Sequence, residues 1–476
     1  MTLVIIGAGP TGIGAALRCM DKEGFEDFLI LDAASSPGGL ACSVLDENGF
    51  TWDMGGHVIF SHYKYFDDAM SIITEWNTHQ RESWVLCEKT WVPYPFQNNI
   101  HRLPKPTQTS CLEGLIEVYK EKYDTKPANF DEYISRQFGK GIVDVFMSPY
   151  NFKVWAIPPR LMSTEWVGER VASVDLKRVC RNVVNNTDDL GWGPNATFGF
   201  PKSGGTGGIW TTIGSHIPKK NIRLNAKVVK VDTAKKQIVL EGGDTIPYGK
   251  ILSTMPLDDL LRTCDATASD PACIKIADSL VFSSSHIIGI GLRGSPPAHL
   301  KTMCWMYFPD DNTPFYRATV FSNYAAANAP EGCWSLMLEV SESKEHKPVN
   351  RETLIEDCIR GCLASTLITP DDIVVSKWHR CLYKGYPTPF VGRNDLLTQA
   401  HAVLSKYDIL SRGRFGGWKY EVGNQDHSLM QGVEAVDYLL EGTPEVTYPT
   451  PDVANAKKDA TRVCTLPARI KAQQKN

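Results

Sequence analysis

The apolar positions of the chain change spacing several times, and each change predicts an element. Leu3–Gly7 and Phe28–Asp32 are short continuous apolar runs, and Thr11–Lys22 between them has helical spacing. That order predicts a strand–helix–strand start. Residues 43–54, SVLDENGFTWDM, alternate around Asn48-Gly49, a pair that favours a hairpin turn. From about 64 to 190 the pattern is mainly helical, for example over 131–138, 142–146 and 165–176, and 182–194 reads as an exposed loop. Residues 222–254 predict a meander of three strands, followed by antiparallel strands over 283–292, 315–324 and 333–340. A helix at 351–366, a strand near 373–382, a short strand at 408–411 and a strong helix at 426–440 complete the series. The proline- and lysine-bearing tail beyond Glu441 predicts a surface arm or a partly disordered segment. No internal repeat interrupts this order.

Composition narrows the class. At 476 residues the chain exceeds one hydrophobic core and suggests about three domain-sized units. Hydrophobic content of 42% and charged content of 22% are ordinary for a soluble enzyme. A net charge of −4 provides no basic field for nucleic acid or anionic lipid, so neither partner is expected. Any anionic ligand must be met by a few placed arginines. The apolar opening LVIIGAGPTGIGAALRCM lacks a basic leader and is broken by glycines, a proline and Arg18. It therefore predicts neither a secretory signal nor a membrane span. Thirteen cysteines lack zinc spacing; Cys358 and Cys362 are merely one helical turn apart. The expectation is free thiols in a reducing cytoplasm and no metal site.

VIIGAGPTGIGAA places Gly7, Gly9 and Gly12 in G-x-G-x-x-G register between a strand and a helix. The first glycine makes the turn, the second admits a pyrophosphate and the third packs helix on strand. Asp32, at the end of the second strand, supplies the carboxylate expected on a ribose. Gly38-Gly39 follow at a spacing that favours FAD over NAD, although Ser36 stands where many flavoproteins have an arginine. Gly416-Gly417, and Gly423 with Asn424, Gln425 and Ser428 at the last helix, suggest a second anion contact. The paired glycines within 204–208 predict close backbone approach to a cofactor.

Other segments are ambiguous by themselves. VPYPFQNN (92–99) has prolines that hold an extended backbone, with Tyr94 and Phe96 on opposite sides and amides suited to a nucleobase. By itself it fits a proline-stiffened edge strand better. Arg170 and Arg317, taken alone, read more readily as surface charges than as ligand contacts. In WDMGGHVIFSHY, Gly55-Gly56 leave room for a flat group, and His57 is either a packed ring or that group's neighbour.

Together, GAGPTGIGAA, WDMGGHVIFSHY, VPYPFQNN, WVGERVA, GPNATFGFPKSGGTGGIW, PFYRATVFSNY and GGWKYEVGNQDHS, in this order, resemble the UDP-galactopyranose mutase family, specifically its eukaryotic branch. The resemblance implies an α/β fold: a discontinuous Rossmann-like FAD-binding domain (1–80, 200–275, 385–445), a mainly helical substrate domain (81–199), an antiparallel β-sheet domain (276–384) and a C-terminal arm (446–476). It implies a flavin-dependent isomerase acting on UDP-galactopyranose and UDP-galactofuranose. Reduced FAD would use N5 as nucleophile at the anomeric carbon, with UDP leaving. Arg170 and Arg317 would stabilise the departing diphosphate, with Tyr307, Tyr386 and Tyr420 donating hydroxyls. Tyr94, Gln97, Asn151 and Trp155 would hold uridine, Asn195 and Arg414 would border the sugar, and Gly56 and His57 would lie at the flavin N5 edge. NADPH would be the reductant, with Arg81 and Ser83 as candidate contacts. A flavin-dependent oxidase or desaturase is the alternative, distinguished by an apolar pocket without paired arginines. A flavin-free escort protein would lack the glycines expected around the ring.

Overall fold

In the computed structural model, which describes residues 2–190, 193 and 196–473, the opening runs form the middle of a five-stranded parallel sheet. Its order is Ile409–Ser411, Lys250–Ser253, Leu3–Ile6, Phe28–Leu31 and Ile222–Arg223. Every residue of Leu3–Ile6 is buried, as expected of a parallel strand covered on both faces. Helix Pro10–Asp21 leads from the first strand to the second, and Gln425–Glu441 packs along it. The hairpin Ser43–Leu45 with Thr51–Asp53 forms around Asn48-Gly49 as expected.

A seven-stranded mixed sheet forms the second layer. Its order is Val374–Pro387, Phe282–Arg293, Cys333–Glu342, Arg317–Val320, Trp305–Tyr307, Ser83–Cys87 and Thr90–Pro93. Side chains alternate across it. Ile288, Ile290 and Leu338 meet helix Leu354–Ala364, whereas Ile287 and Met337 face Phe50 and Trp52. The last two strands correct the helical expectation for this part of the chain. Their turn lies at Glu88 and Lys89, both with positive φ (49° and 61°), without the Asn-Gly signal of the first hairpin. Trp76–Gln80 is also a strand and pairs with Thr197–Pro201.

Three further expectations are revised. The helix expected over 165–176 is only a short turn at Gly168–Arg170. Asp175 accepts a hydrogen bond from the Arg178 N–H and caps the helix Leu176–Asn185, which takes up the start of the expected loop. The expected meander divides: Val228–Asp232, Gln237–Leu240 and Thr245–Pro247 form a three-stranded antiparallel sheet, while 222–223 and 250–253 join the parallel sheet. The tail is docked: Thr447 and Tyr448 are buried, and Cys464 and Leu466 enter the core beside Tyr65 and Phe66.

Candidate active site

The space between the two sheets is a chain of three contiguous cavities. The first is lined by Gly7, Gly9, Asp32, Gly39 and Ser428. Gly12 packs as expected, since an added Cβ would lie 1.8 Å from the Gly7 carbonyl oxygen. Gly38, at φ +124°, donates from its N–H to the Ala8 carbonyl oxygen and brings the second glycine turn against the first. Asp32 accepts from the Ala8 and Ala34 N–H groups at 2.5 and 2.7 Å. A Cβ on Gly39 would stand 3.3 Å from the Gly9 Cα, so the two glycine turns pack backbone against backbone.

The second cavity shares Arg414 and Ser428 with the first and adds Gly55, Gly56, His57, Asn424 and Gln425. Among the described residues four arginines line it, Arg81, Arg170, Arg317 and Arg414, against the single carboxylate of Glu339. That balance favours an anion. Glu339 is almost fully buried and has four donors. Arg317 gives it Nε and Nη2 at 2.8 and 2.7 Å, Tyr316 its hydroxyl at 2.6 Å and Gly56 its N–H at 2.9 Å. Burial pushes the Glu339 pKa up, but the Arg317 charge and these hydrogen bonds outweigh it and carry the group below the ordinary glutamate value. The carboxylate therefore remains ionised and orients both a cation and the glycine loop. Among the described residues, the Arg317 Nη1 makes no hydrogen bond and is left for a ligand. His57 is held close to this network. Burial and the Arg414 charge lower its pKa to about 4, so its imidazole is neutral near pH 7.

The third cavity shares Tyr94, Arg170, Tyr307, Arg317, Tyr386 and Tyr420 with the second and extends to Gln97, Tyr150, Asn151 and Trp155. Its walls are aromatic: the rings of Trp155 and Tyr420 lie 4.8 Å apart, and those of Tyr94 and Tyr307 5.5 Å. Arg170 lies over Tyr420 at 5.2 Å and Arg414 over Tyr386 at 4.8 Å. Flat apolar walls with arginines at the mouth suit an aromatic base carrying phosphates.

A family model of flavin-containing amine oxidoreductases matches residues 11–417. A crystal structure of reduced UDP-galactopyranose mutase is 55% identical to the chain, covers 97% of it and 98% of its own length, and superposes with a TM-score of 0.95. The chain belongs to the flavin-containing amine oxidoreductases, in their UDP-galactopyranose mutase family. Putrescine oxidase bound to putrescine (13% identity, 92% of this chain and 98% of that one, TM-score 0.63) shares the fold. A CLA-producing fatty acid isomerase from P. acnes does so too (13%, 92% and 98%, TM-score 0.60).

Within this flavoprotein family the glycine cradle and Asp32 fit the cofactor, and most site residues expected from the sequence line the three cavities. Several do not. Asn195 lies outside the described residues. Ser83 is buried in the seven-stranded sheet, opposite Trp305, and lines none of these cavities, so only Arg81 of the two NADPH candidates borders the cleft. In VPYPFQNN the extended backbone ends at Pro95 and a short helical turn spans Phe96–Asn98. Phe96 is buried and stacks on Phe146 at 4.5 Å. Asn98 and Asn99 are taken by Asp189 and nearby carbonyls, leaving Gln97 in the cavity. The glycines at 205 and 207 admit Ser43 and Asp53 rather than a cofactor, and Gly416-Gly417 fold against Arg412 and Tyr448. Arg414 gives its guanidinium to the carbonyls of Gly385 and Gly423.

The sequence reading missed Glu339 and Trp305. The indole N–H of Trp305 is buried, and a Cβ on Gly56 would come within 2.8 Å of it. The available signal was a lone carboxylate inside the apolar run CWSLMLEV, on a strand that could pair with the one carrying Arg317.

Proposed function

We propose that the chain is a flavin-dependent isomerase that interconverts UDP-galactopyranose and UDP-galactofuranose, and that it belongs to the eukaryotic branch of its family. The observation that carries this reading is the position of Arg170 and Arg317. Both border the cavity that reaches Gly56 and the aromatic cavity beside it, where a diphosphate joining a base to a sugar would lie. An oxidase of an uncharged substrate has no use for that pair.

Bound FAD, when reduced, supplies the nucleophile for the galactosyl carbon. The protein's part is binding and electrostatics. Gly7, Gly9, Gly39 and Asp32 would receive the adenosine diphosphate end of FAD, and Asn424, Gln425 and Ser428 would border its isoalloxazine end. Tyr94, Gln97, Asn151 and Trp155 enclose the uracil end, with Tyr307, Tyr386 and Tyr420 around the diphosphate. As UDP departs, negative charge grows on the diphosphate beside Arg170 and Arg317. A guanidinium already fixed by Glu339 needs no reorganisation at that moment. A neutral His57 offers position and one hydrogen bond rather than a proton-transfer cycle.

NADPH is the proposed reductant, with Arg81 beside the cleft as its contact, and the cytoplasm is the proposed location. Among the described residues no helix is long and apolar enough to cross a membrane, and all thirteen cysteines are free. The FAD-binding, helical and sheet domains are proposed with the limits expected from the sequence, except that 83–93 belongs with the sheet. The test is conversion of UDP-galactofuranose by purified enzyme with and without dithionite. Turnover only after reduction supports the reading; equal turnover by the oxidised enzyme overturns it.

A further inference from the structure

We propose that the seven-stranded sheet carries, across its edge strand and the two strands beside it, a site for a divalent transition metal of the zinc class, with His286, Glu342 and Cys381 as ligands. The three residues come from adjacent strands. His286 stands directly opposite Cys381 in the antiparallel register, and Glu342 is opposite Ser284, one diagonal step away on the same face. One donor atom from each lies within 4.8 Å of the other two. Ser285 and Ile287, the neighbours of His286, line the second cavity, and Cys381, on the edge strand, borders the first, so the cluster lies beside the dinucleotide end of the cleft.

The donor set suits such a metal. An imidazole, a carboxylate and a thiolate form a borderline ligand set, and three protein ligands leave a fourth position for water. Two anionic ligands also balance the charge of a divalent ion. The orientation of His286 is already fixed: its Nε2 lies 2.9 Å from Glu342 Oε2, and its Nδ1 lies 2.9 Å from His379 Nε2. A ligating histidine held by a partner on its other ring nitrogen is the arrangement that metal sites use. Glu342 and Cys381 are only partly covered, which leaves a route for entry from solvent. Arg351, whose side chain is 55% exposed, pairs with Glu342 at 2.7 Å. It would swing outward, and the Cys381 proton would be released, as the metal enters.

The test is titration of the FAD-loaded enzyme with zinc chloride in competition with a chromophoric zinc indicator. Mass spectrometry would follow iodoacetamide labelling at Cys381. One equivalent of zinc should bind and protect Cys381. Cys381→Ala and Glu342→Gln should each weaken binding by about tenfold or more, and His379→Gln by about tenfold. Retained flavin absorbance and isomerase turnover in Glu342→Gln would show that the fold is intact. Absence of stoichiometric binding, or an affinity unchanged in both ligand variants, would overturn the site.

Discussion

The two ends of the cleft are specified in different ways. At the dinucleotide end, Gly7, Gly9, Gly12 and Asp32 lie on one strand–helix–strand unit, so their spacing along the chain is also their arrangement in space. At the opposite end, Gly56, Arg317, Glu339 and Tyr386 come from four separate segments and meet through strand register and a loop. The first end can be read locally. The second exists only after the seven-stranded sheet has formed, and its central charge is a buried carboxylate that a local reading takes for an interruption in a core strand.

The largest effect should come from breaking the local end. Gly12→Val puts its Cβ 1.8 Å from the Gly7 carbonyl oxygen, against backbone that cannot yield without moving the first strand. The expected outcome is colourless or insoluble protein with no turnover, measured by flavin absorbance per chain. A yellow, active Gly12→Val enzyme would show that the glycine turn does not hold the cofactor.

The register-built end should fail differently, with flavin retained and turnover lost. Arg317→Ala should lower kcat on the order of 10²-fold or more, as loss of one preorganised oxyanion donor does. It also leaves Glu339 buried with one partner cation removed, so thermal stability should fall. Glu339→Gln keeps the shape but removes the charge that orients Arg317. Breaking such a buried pair costs about 3–5 kcal/mol of stability. Its kcat should fall less than that of Arg317→Ala, because the guanidinium remains in the cleft. If the double variant lost no more than Arg317→Ala alone, Glu339 would act only through Arg317. If Glu339→Gln matched wild type in both kcat and melting temperature, the carboxylate would be no hub.

The same contrast explains what was legible in the sequence. The hairpin at Asn48-Gly49 and the helix Gln425–Glu441 carry their signals locally, in turn chemistry and in apolar spacing. The strands Ser83–Cys87 and Thr90–Pro93 were hidden because their turn uses Glu88 and Lys89 at positive φ, residues that do not announce it. Residues 165–176 have helical spacing, but Trp166 and Val167 bury themselves among Phe130 and Trp155 in an irregular segment. Asp175 then starts the following helix. In the site, the family resemblance supplied Arg170, Tyr386 and Tyr420, which no spacing rule identifies. Glu339 was missed because its meaning depends on being opposite Arg317 across two strands.

A smaller change tests whether the glycine loop belongs to the register-built end. In the structure Gly55 has φ +130°, and its carbonyl oxygen accepts from the His57 N–H at 2.7 Å while the Gly56 N–H donates to Glu339. Gly56→Ala would push a methyl group to 2.8 Å from the Trp305 indole nitrogen and 3.3 Å from Glu339. Turnover should drop about tenfold, less than the roughly 10²-fold of a donor removed outright because here it is only shifted, with flavin content unchanged. Wild-type turnover would separate the loop from the Glu339 network.

The smallest effect expected is one on the pH profile, at His57. An unperturbed histidine titrates near pH 6.5, but burial and the Arg414 charge lower His57 to about 4. Its folded pKa lies below its unfolded value, so the unfolded chain takes up the proton first. The neutral ring is retained in the fold at a stability cost that grows as pH falls from about 6.5 towards 4 and is absent above that window. Near neutral pH neither catalysis nor folding should therefore sense the titration of this group. The acid limb of kcat/KM, which reports groups of the free enzyme, should show no His57 ionisation between pH 5.5 and 7.5, intervals chosen as roughly one unit either side of the ordinary value. His57→Gln should keep the shape of that profile while lowering its height through lost position. A limb near pH 6.5 in the wild type that disappears in His57→Gln would make the histidine an acid–base catalyst and move the chemistry of this end of the cleft from fixed charge to proton transfer.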